Sequence, residues 1–170
     1  MFARLSPKIT FVALTLSTLL FDQLSKLWAA AVLTPWEMTS YFNDLFRIGY
    51  TENRGAFLSL GGTMSESMRD LVFIGLVGVF LLGMIIYVFR EKQLTKPMAS
   101  AWALIVSGGA SNWLDRVLND GAVIDFLNVG IGSLRTGVFN IADMFILAGA
   151  GMLLFYGWQE DRAAKEAASS

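Results

Sequence analysis

Nineteen consecutive residues, 71–89, carry no charge. As a helix at about 1.5 Å per residue, such a run is roughly 28 Å long, close to the thickness of a bilayer's hydrocarbon layer. Three further apolar stretches of similar length, residues 9–33, 98–117 and 138–158, surround it in the 170-residue chain. Backbone that crosses lipid must satisfy its own hydrogen bonds, so the expected fold is a membrane all-α bundle of four transmembrane helices. Ala29-Ala30-Ala31 after the first run superficially resembles a signal cleavage site, but the apolar stretch continues to Leu33 and more spans follow, so an uncleaved span is expected.

The segments between these runs are polar. Residues 34–70 contain Pro35, Gly49, Gly55, Gly61 and Gly62 and read as an extramembrane excursion. Phe46, Ile48 and Tyr50 alternate with Arg47, Gly49 and Thr51, and Glu52-Asn53-Arg54-Gly55 offers a turn before Ala56-Phe57-Leu58-Ser59-Leu60. That pattern predicts a small extracytoplasmic β-hairpin or sheet cradle. Trp36, Tyr41, Phe42, Phe46 and Phe57 suit a sheet resting at the membrane interface. Residues 65–70 read as a short helix leading into the span at 71–89, and 90–97 as a short basic loop. Asn119-Asp120-Gly121 is a turn signal, and the rest of 118–137 is semi-apolar but too broken by Gly and Asp to span, so it is expected to lie along the membrane surface. Residues 159–170 read as a polar, disordered tail, and nothing in 1–170 marks a second domain.

Composition removes several classes of chemistry. The chain has no Cys and no His, which excludes disulfides, thiol nucleophiles and iron–sulfur clusters and deprives zinc or haem of their usual ligands. Its net charge of −1, with 13 basic residues dispersed along the chain, argues against a nucleic-acid partner.

The remaining polar residues of the spans are the informative ones, because ionisable groups near lipid are costly unless they have partners, water or a role. Asp125 and Asp143 lie eighteen positions apart in Val-Ile-Asp-Phe-Leu and Phe-Asn-Ile-Ala-Asp. If the chain between them folds back, two carboxyl groups forced together share one proton and can act as base and acid around a single water. Equally, Asp125 could be a solvated loop residue, and Asn140 with Asp143 an N-cap with its capping carboxylate. Asp22 and Lys26, four apart, fit either a local ion pair with Lys26 snorkelling outward or a functional pair. Asn53 fits a turn or an amide that binds substrate backbone. Asn112 and Arg116 share a helix face, and Asp115 and Arg116 could simply mark a membrane boundary.

Four spans put both termini on one side. Arg4, Lys8, Arg90, Lys92, Lys96, Arg162 and Lys165 then lie on the terminal side, against Lys26, Arg47, Arg54, Arg69, Arg116 and Arg135 opposite, which places the termini in the cytoplasm. Whatever the orientation, Asp22, Asn53, Asn112, Arg116, Asp125, Asn140 and Asp143 gather toward one membrane face.

Five short stretches together carry a family pattern: Phe-Asp22-Gln-Leu-Ser-Lys26; Asn53-Arg-Gly55-Ala56-Phe; Gly108-Gly109-Ala110-Ser111-Asn112-Trp-Leu-Asp115-Arg116; Val123-Ile-Asp125-Phe126; and Phe139-Asn140-Ile-Ala142-Asp143. In this order and on a chain of this length, the sequence resembles the lipoprotein signal peptidases, also called signal peptidase II. One departure is Ser111, where that family usually has Gly. The resemblance implies an intramembrane aspartic endopeptidase of the bacterial inner membrane, active toward the periplasm and sensitive to globomycin. It would cleave diacylglyceryl-modified prolipoproteins before the lipidated Cys, as a monomer needing no metal or cofactor. It further implies Asp125 and Asp143 as the catalytic pair, with Asp22, Lys26, Asn53, Gly55, Gly108, Asn112, Arg116 and Asn140 as substrate-binding or supporting residues. The competing expectations are a small transporter or ion-conducting protein, whose path would need polar groups through both leaflets, and an inactive lipoprotein-binding paralogue.

Overall fold

The computed structural model describes residues 5–55 and 64–168. Four long helical segments carry a four-stranded antiparallel sheet at one end. Each helix begins where the sequence supplies a cap. In α1, Pro7–Val32, the Ser6 side chain accepts from Ile9 N with Pro7 in the first turn. In α4, Lys96–Leu118, Thr95 does the same for Met98 N. In α2, Glu66–Arg69, Ser65 accepts from Met68 N. This short helix passes through a π-helical stretch, Asp70–Leu76, into α3, Val77–Arg90. Within the π stretch the Ile74 carbonyl accepts a hydrogen bond from Trp113 Nε1 of α4 at 2.9 Å, which ties the two helices together. The last helix, α5, covers Ile141–Ala168.

The central helix is α4, packed against α1, α3 and α5. Phe11, Leu81, Met84, Val88, Ala99, Ala103 and Val106 form the apolar core between α1, α3 and α4. Toward α5, small residues let the backbones touch. A side chain at Gly108 would collide with the Ala142 carbonyl, and one at Gly149 with the Ala101 carbonyl.

The sheet runs in the order β1 (Thr39–Tyr41), β2 (Phe46–Asn53), β3 (Val123–Ile131), β4 (Leu134–Arg135). Phe46 pairs with Val129 near one end and Asn53 with Val123 at the other, with a bulge between Ile48 and Thr51. The β1–β2 turn uses left-handed backbone at Phe42, Asn43 and Asp44, and the Asp44 carboxylate ties it down by accepting from Arg47 and Arg135.

Three sequence expectations change here and one, a turn, holds. The hairpin predicted from Phe46 through a turn at Glu52-Asn53-Arg54-Gly55 is instead a strand paired with β1 and β3; its other arm, residues 56–60, lies outside the described residues. The surface segment 118–137 supplies β3 and β4: the buried positions of Val123–Ile131 are Val123, Asp125, Phe126 and Asn128, a mix of apolar and polar side chains with a slip at Asp125–Phe126, so no apolar/polar alternation marks the strand in the sequence. The Asn119-Asp120-Gly121 turn is present, with left-handed φ at Asp120 and Gly121. The tail 159–170 is helical to Ala168, an Ala-rich continuation of α5 with an Arg162–Glu166 pair four residues apart.

Among the described residues, two helices are apolar enough by length and composition to cross a membrane, Glu66–Arg90 and Ile141–Gln159. The candidates at 9–33 and 98–117 are diluted by the polar side chains described next.

Candidate active site

The centre of the site is Asn140, a fully buried side chain at the start of α5. Its Nδ2 donates to Asp125 Oδ1 at 2.7 Å and to Asn112 Oδ1 at 3.0 Å. Its Oδ1 accepts from Asp143 N at 3.0 Å, while Asp143 Oδ2 accepts from Asn140 N at 3.1 Å. This is a reciprocal capping box with Asp in the carboxylate position. The cap reading of Asn140 and Asp143 is therefore borne out, and the same Asn140 side chain also bonds Asp125. Asn112 Nδ2 donates to Asp143 Oδ1 at 2.9 Å, and Asn53 Nδ2 donates to Asp125 Oδ2 at 3.0 Å.

Asp125 is 2% exposed, so the solvated-loop reading is corrected. Burial pushes its carboxyl up to about 7, the Asp143 charge adds to the rise, and the Asn53 and Asn140 donors and Lys26 oppose it. A carboxyl balanced near neutrality, beside a second carboxylate, can hold one shared proton and exchange it with a bound water.

Arg116 shapes the approach. Its Nη2 donates to Gly55 O at 2.7 Å and its Nη1 to Asn112 O at 3.1 Å, which clamps the chain after Asn53 to α4. Gly55 N in turn donates to Asn53 Oδ1, orienting that amide toward Asp125. A cavity of about 490 Å³ opens onto Asp125 and Asn53, lined also by Trp36, Thr51, Gly55 and Val138. Trp36 stands exposed there with φ 66°, an uncommon conformation for a bulky side chain.

Behind the carboxylates lies a second polar layer. Lys26 Nζ contacts Asp22 Oδ2 at 2.8 Å, Asp115 Oδ2 at 2.9 Å and Asn112 Oδ1 at 2.9 Å. Lys26 is 1% exposed, which corrects the snorkelling alternative, and Asp115 is 3% exposed, which corrects its reading as a boundary marker. Gly108 packs against the Ala142 carbonyl, directly before Asp143. All ten residues singled out from the sequence thus converge on one end of the bundle. Gln23, Ser111 and Asp115 belong to the same network and were not among the ten. The available signal was spacing: Ser111 and Asp115 are four apart on α4, as are Asp22 and Lys26 on α1, marking two polar stripes. Ser111 is fully buried, its hydroxyl donating to Asp22 Oδ2 at 2.6 Å, so the extra side chain is accommodated where the family pattern has Gly.

Comparison with known proteins agrees with this geometry. The family model described as signal peptidase (SPase) II matches residues 14–159. A lipoprotein signal peptidase of Borrelia duttonii is 34% identical over 158 residues, covering 90% of each chain. The chain belongs to the lipoprotein signal peptidase family. A Geobacter sulfurreducens lipoprotein signal peptidase is 35% identical over 153 residues, covering 89% of this chain and 93% of the relative. In fold, the chain is similar to a bacterial membrane enzyme solved by the in meso method, with a TM-score of 0.78 at 23% identity and 89% coverage of both chains. As a lipoprotein signal peptidase, the protein is an aspartic endopeptidase that cleaves lipoprotein signal peptides, which sets the transport expectation aside.

Proposed function

We propose that this signal peptidase hydrolyses the peptide bond before the lipidated Cys of diacylglyceryl-modified prolipoproteins, with Asp125 and Asp143 as the catalytic pair. The observation that carries the reading is the single Asn140 side chain bonded to both residues, at the edge of a cavity that opens onto Asp125. Near neutral pH the pair holds one proton, carried on Asp125, whose carboxyl lies at about 7. Water attacks the scissile carbonyl carbon and passes a proton to the Asp143 carboxylate, while Asp125 donates its proton to the carbonyl oxygen. The gem-diol then collapses: Asp143 protonates the leaving amine, and Asp125 recovers a proton from the diol. Asn53, beside the cavity, holds Asp125 and offers its amide to substrate backbone. Asn112 and Asn140 hold the pair, and Arg116 with Gly55 holds Asn53.

We place all four long helices across a bacterial cytoplasmic (inner) membrane, with the termini cytoplasmic and the site at the periplasmic face. The distribution of side chains supports this. Asp22 and Lys26 of α1 are buried, while Leu16, Leu20, Leu24 and Leu27 of the same helix are each more than half exposed, an arrangement suited to lipid rather than water. At the end of the sheet away from Asn53, the turns expose Tyr41, Phe42, Leu45, Ile131 and Leu134, which suits contact with the membrane surface. The substrate's acyl chains then remain in the bilayer while its scissile bond enters the cavity.

The test is cleavage of a diacylglyceryl-modified prolipoprotein by purified protein in detergent, followed by gel shift. Wild type is expected to cleave, and folded Asp125→Asn and Asp143→Asn are expected not to. Near-normal turnover by either variant removes the dyad.

A further inference from the structure

Asp22, Lys26 and Asp115 form a buried cluster of three charges inside α1 and α4, and none of them lines the cavity. Removing three charges from water is costly even when they pair, and an apolar cluster of the same volume is often no less stable. The cluster therefore calls for a role other than stability, and its hydrogen bonds supply one. Asp22 Oδ1 accepts from Ala142 N at 2.7 Å, and Asp115 Oδ2 accepts from Ile124 N at 3.2 Å. Ala142 directly precedes Asp143, and Ile124 directly precedes Asp125. Each buried carboxylate thus grips the backbone amide one residue before one member of the dyad, and Lys26 sits between the two carboxylates.

We propose that Asp22, Lys26 and Asp115 are a positioning triad that sets the separation of the two active-site carboxylates, with Asp115 the member that locates Asp125. The third contact of Lys26, to Asn112 Oδ1, extends the triad to the side chain that donates to Asp143. A neutral bridge ties the two acids a second time. Gln23 Nε2 donates to Asp115 Oδ1 at 2.7 Å and to Ser111 Oγ at 2.8 Å, and Ser111 Oγ donates to Asp22 Oδ2. All four carboxylate oxygens of Asp22 and Asp115 are therefore occupied, so turning either group breaks at least two hydrogen bonds. Asp22 and Lys26 come from α1, Asp115 from α4, Asp125 from β3 and Asp143 from α5, so the triad ties α1 to the same elements that Asn112 and Asn140 join from the cavity side.

This inference rests on the assignment of Asp125 and Asp143 as the catalytic pair, and the experiment separates the two. The kcat and KM for a diacylglyceryl-modified prolipoprotein are measured for Asp115→Ala, Asp115→Asn, Asp125→Asn and Asp143→Asn, normalised to the folded fraction from circular dichroism and thermal melting. Displacing a reacting group by a fraction of an ångström to 1 Å is expected to lower kcat of Asp115→Ala on the order of a hundredfold. Its KM should stay within about threefold of wild type, because the triad touches no cavity surface. Asp115→Asn keeps an oxygen for Ile124 N but loses the ion pair, so about tenfold of that loss is expected back. Wild-type kcat in folded Asp115→Ala, a rise in KM alone, or a loss no larger than the lost folded fraction overturns the triad. If Asp115→Ala does not fold, Asp115→Asn decides: reduced kcat at unchanged KM supports the triad, and wild-type kcat overturns it. Activity in Asp125→Asn or Asp143→Asn removes the dyad assignment itself, whereas inactive dyad variants beside a fully active Asp115→Ala remove only this inference.

Discussion

Asn140→Ala removes the one side chain that bonds to both carboxylate residues, and its cost can be worked from the bonds lost. The Asn140 Oδ1 cap on Asp143 N contributes about 1 kcal/mol. The 2.7 Å bond to Asp125 Oδ1 contributes about 1.5–3 kcal/mol when that carboxyl is ionised. Asn112 Oδ1 keeps its Lys26 donor, so no further penalty arises there. The sum of about 2.5–4 kcal/mol corresponds to a fall in Tm of roughly 5–15 °C for a chain of this size. With both carboxylates loosened, kcat should fall on the order of a hundredfold. The pH profile adds a signed test. Asn140 is one of the donors that hold Asp125 down, so its loss moves that carboxyl above about 7 and carries the alkaline limb of the kcat profile to higher pH. Asn140→Asp keeps a capping oxygen and loses the donor, so it should lose activity with less of the capping cost. The assay is cleavage of lipidated prolipoprotein across pH 5–9, beside thermal melts. Wild-type kcat with only a lowered Tm, or an alkaline limb moving to lower pH, would refute the bridging role.

Three further outcomes are expected. Asn53→Ala should lower kcat/KM by about tenfold to a hundredfold, the equivalent of one bond to a charged group, with only a small change in melting temperature; unchanged kinetics would leave Asn53 a structural residue at the end of β2. Asp125→Asn should be inactive yet gain stability relative to wild type as pH rises. A carboxyl raised from 3.8 to about 7 contributes its full stability only below about 3.8 and loses it as pH climbs through about 7. That difference is on the order of 4 kcal/mol, and melts at several pH values that differ by a constant amount would contradict a buried, raised Asp125. Gly108→Val should cost about 1–3 kcal/mol by overpacking against the Ala142 carbonyl. It should also lower kcat by displacing Asp143; intact kcat in a destabilised variant would separate that packing from the site.

The sequence by itself determined the helices and the direction of the chemistry. Apolar runs and the Asn140–Asp143 capping pair are local signals, carried by side chains within a few residues of the backbone they act on. The segregation of Asp22, Asn53, Asn112, Arg116, Asp125, Asn140 and Asp143 toward one face was legible because helix length and span count convert position into depth. The family pattern was legible for the same reason: its five stretches are short and contiguous. Other features were decided only by tertiary structure. The segment 118–137 becomes β3 and β4, and its buried positions Val123, Asp125, Phe126 and Asn128 mix apolar and polar side chains with a slip in their spacing, so the sequence carries no apolar/polar alternation to read. Asp115 and Lys26 look like boundary charges in one dimension and are buried partners in three, since they pair with each other across α1 and α4. The grip of Asp22 on Ala142 N and of Asp115 on Ile124 N joins residues 120 and 9 positions apart. No periodicity encodes such contacts; they arise when the packing of α1, α4 and α5 against β3 brings these groups within reach of one another.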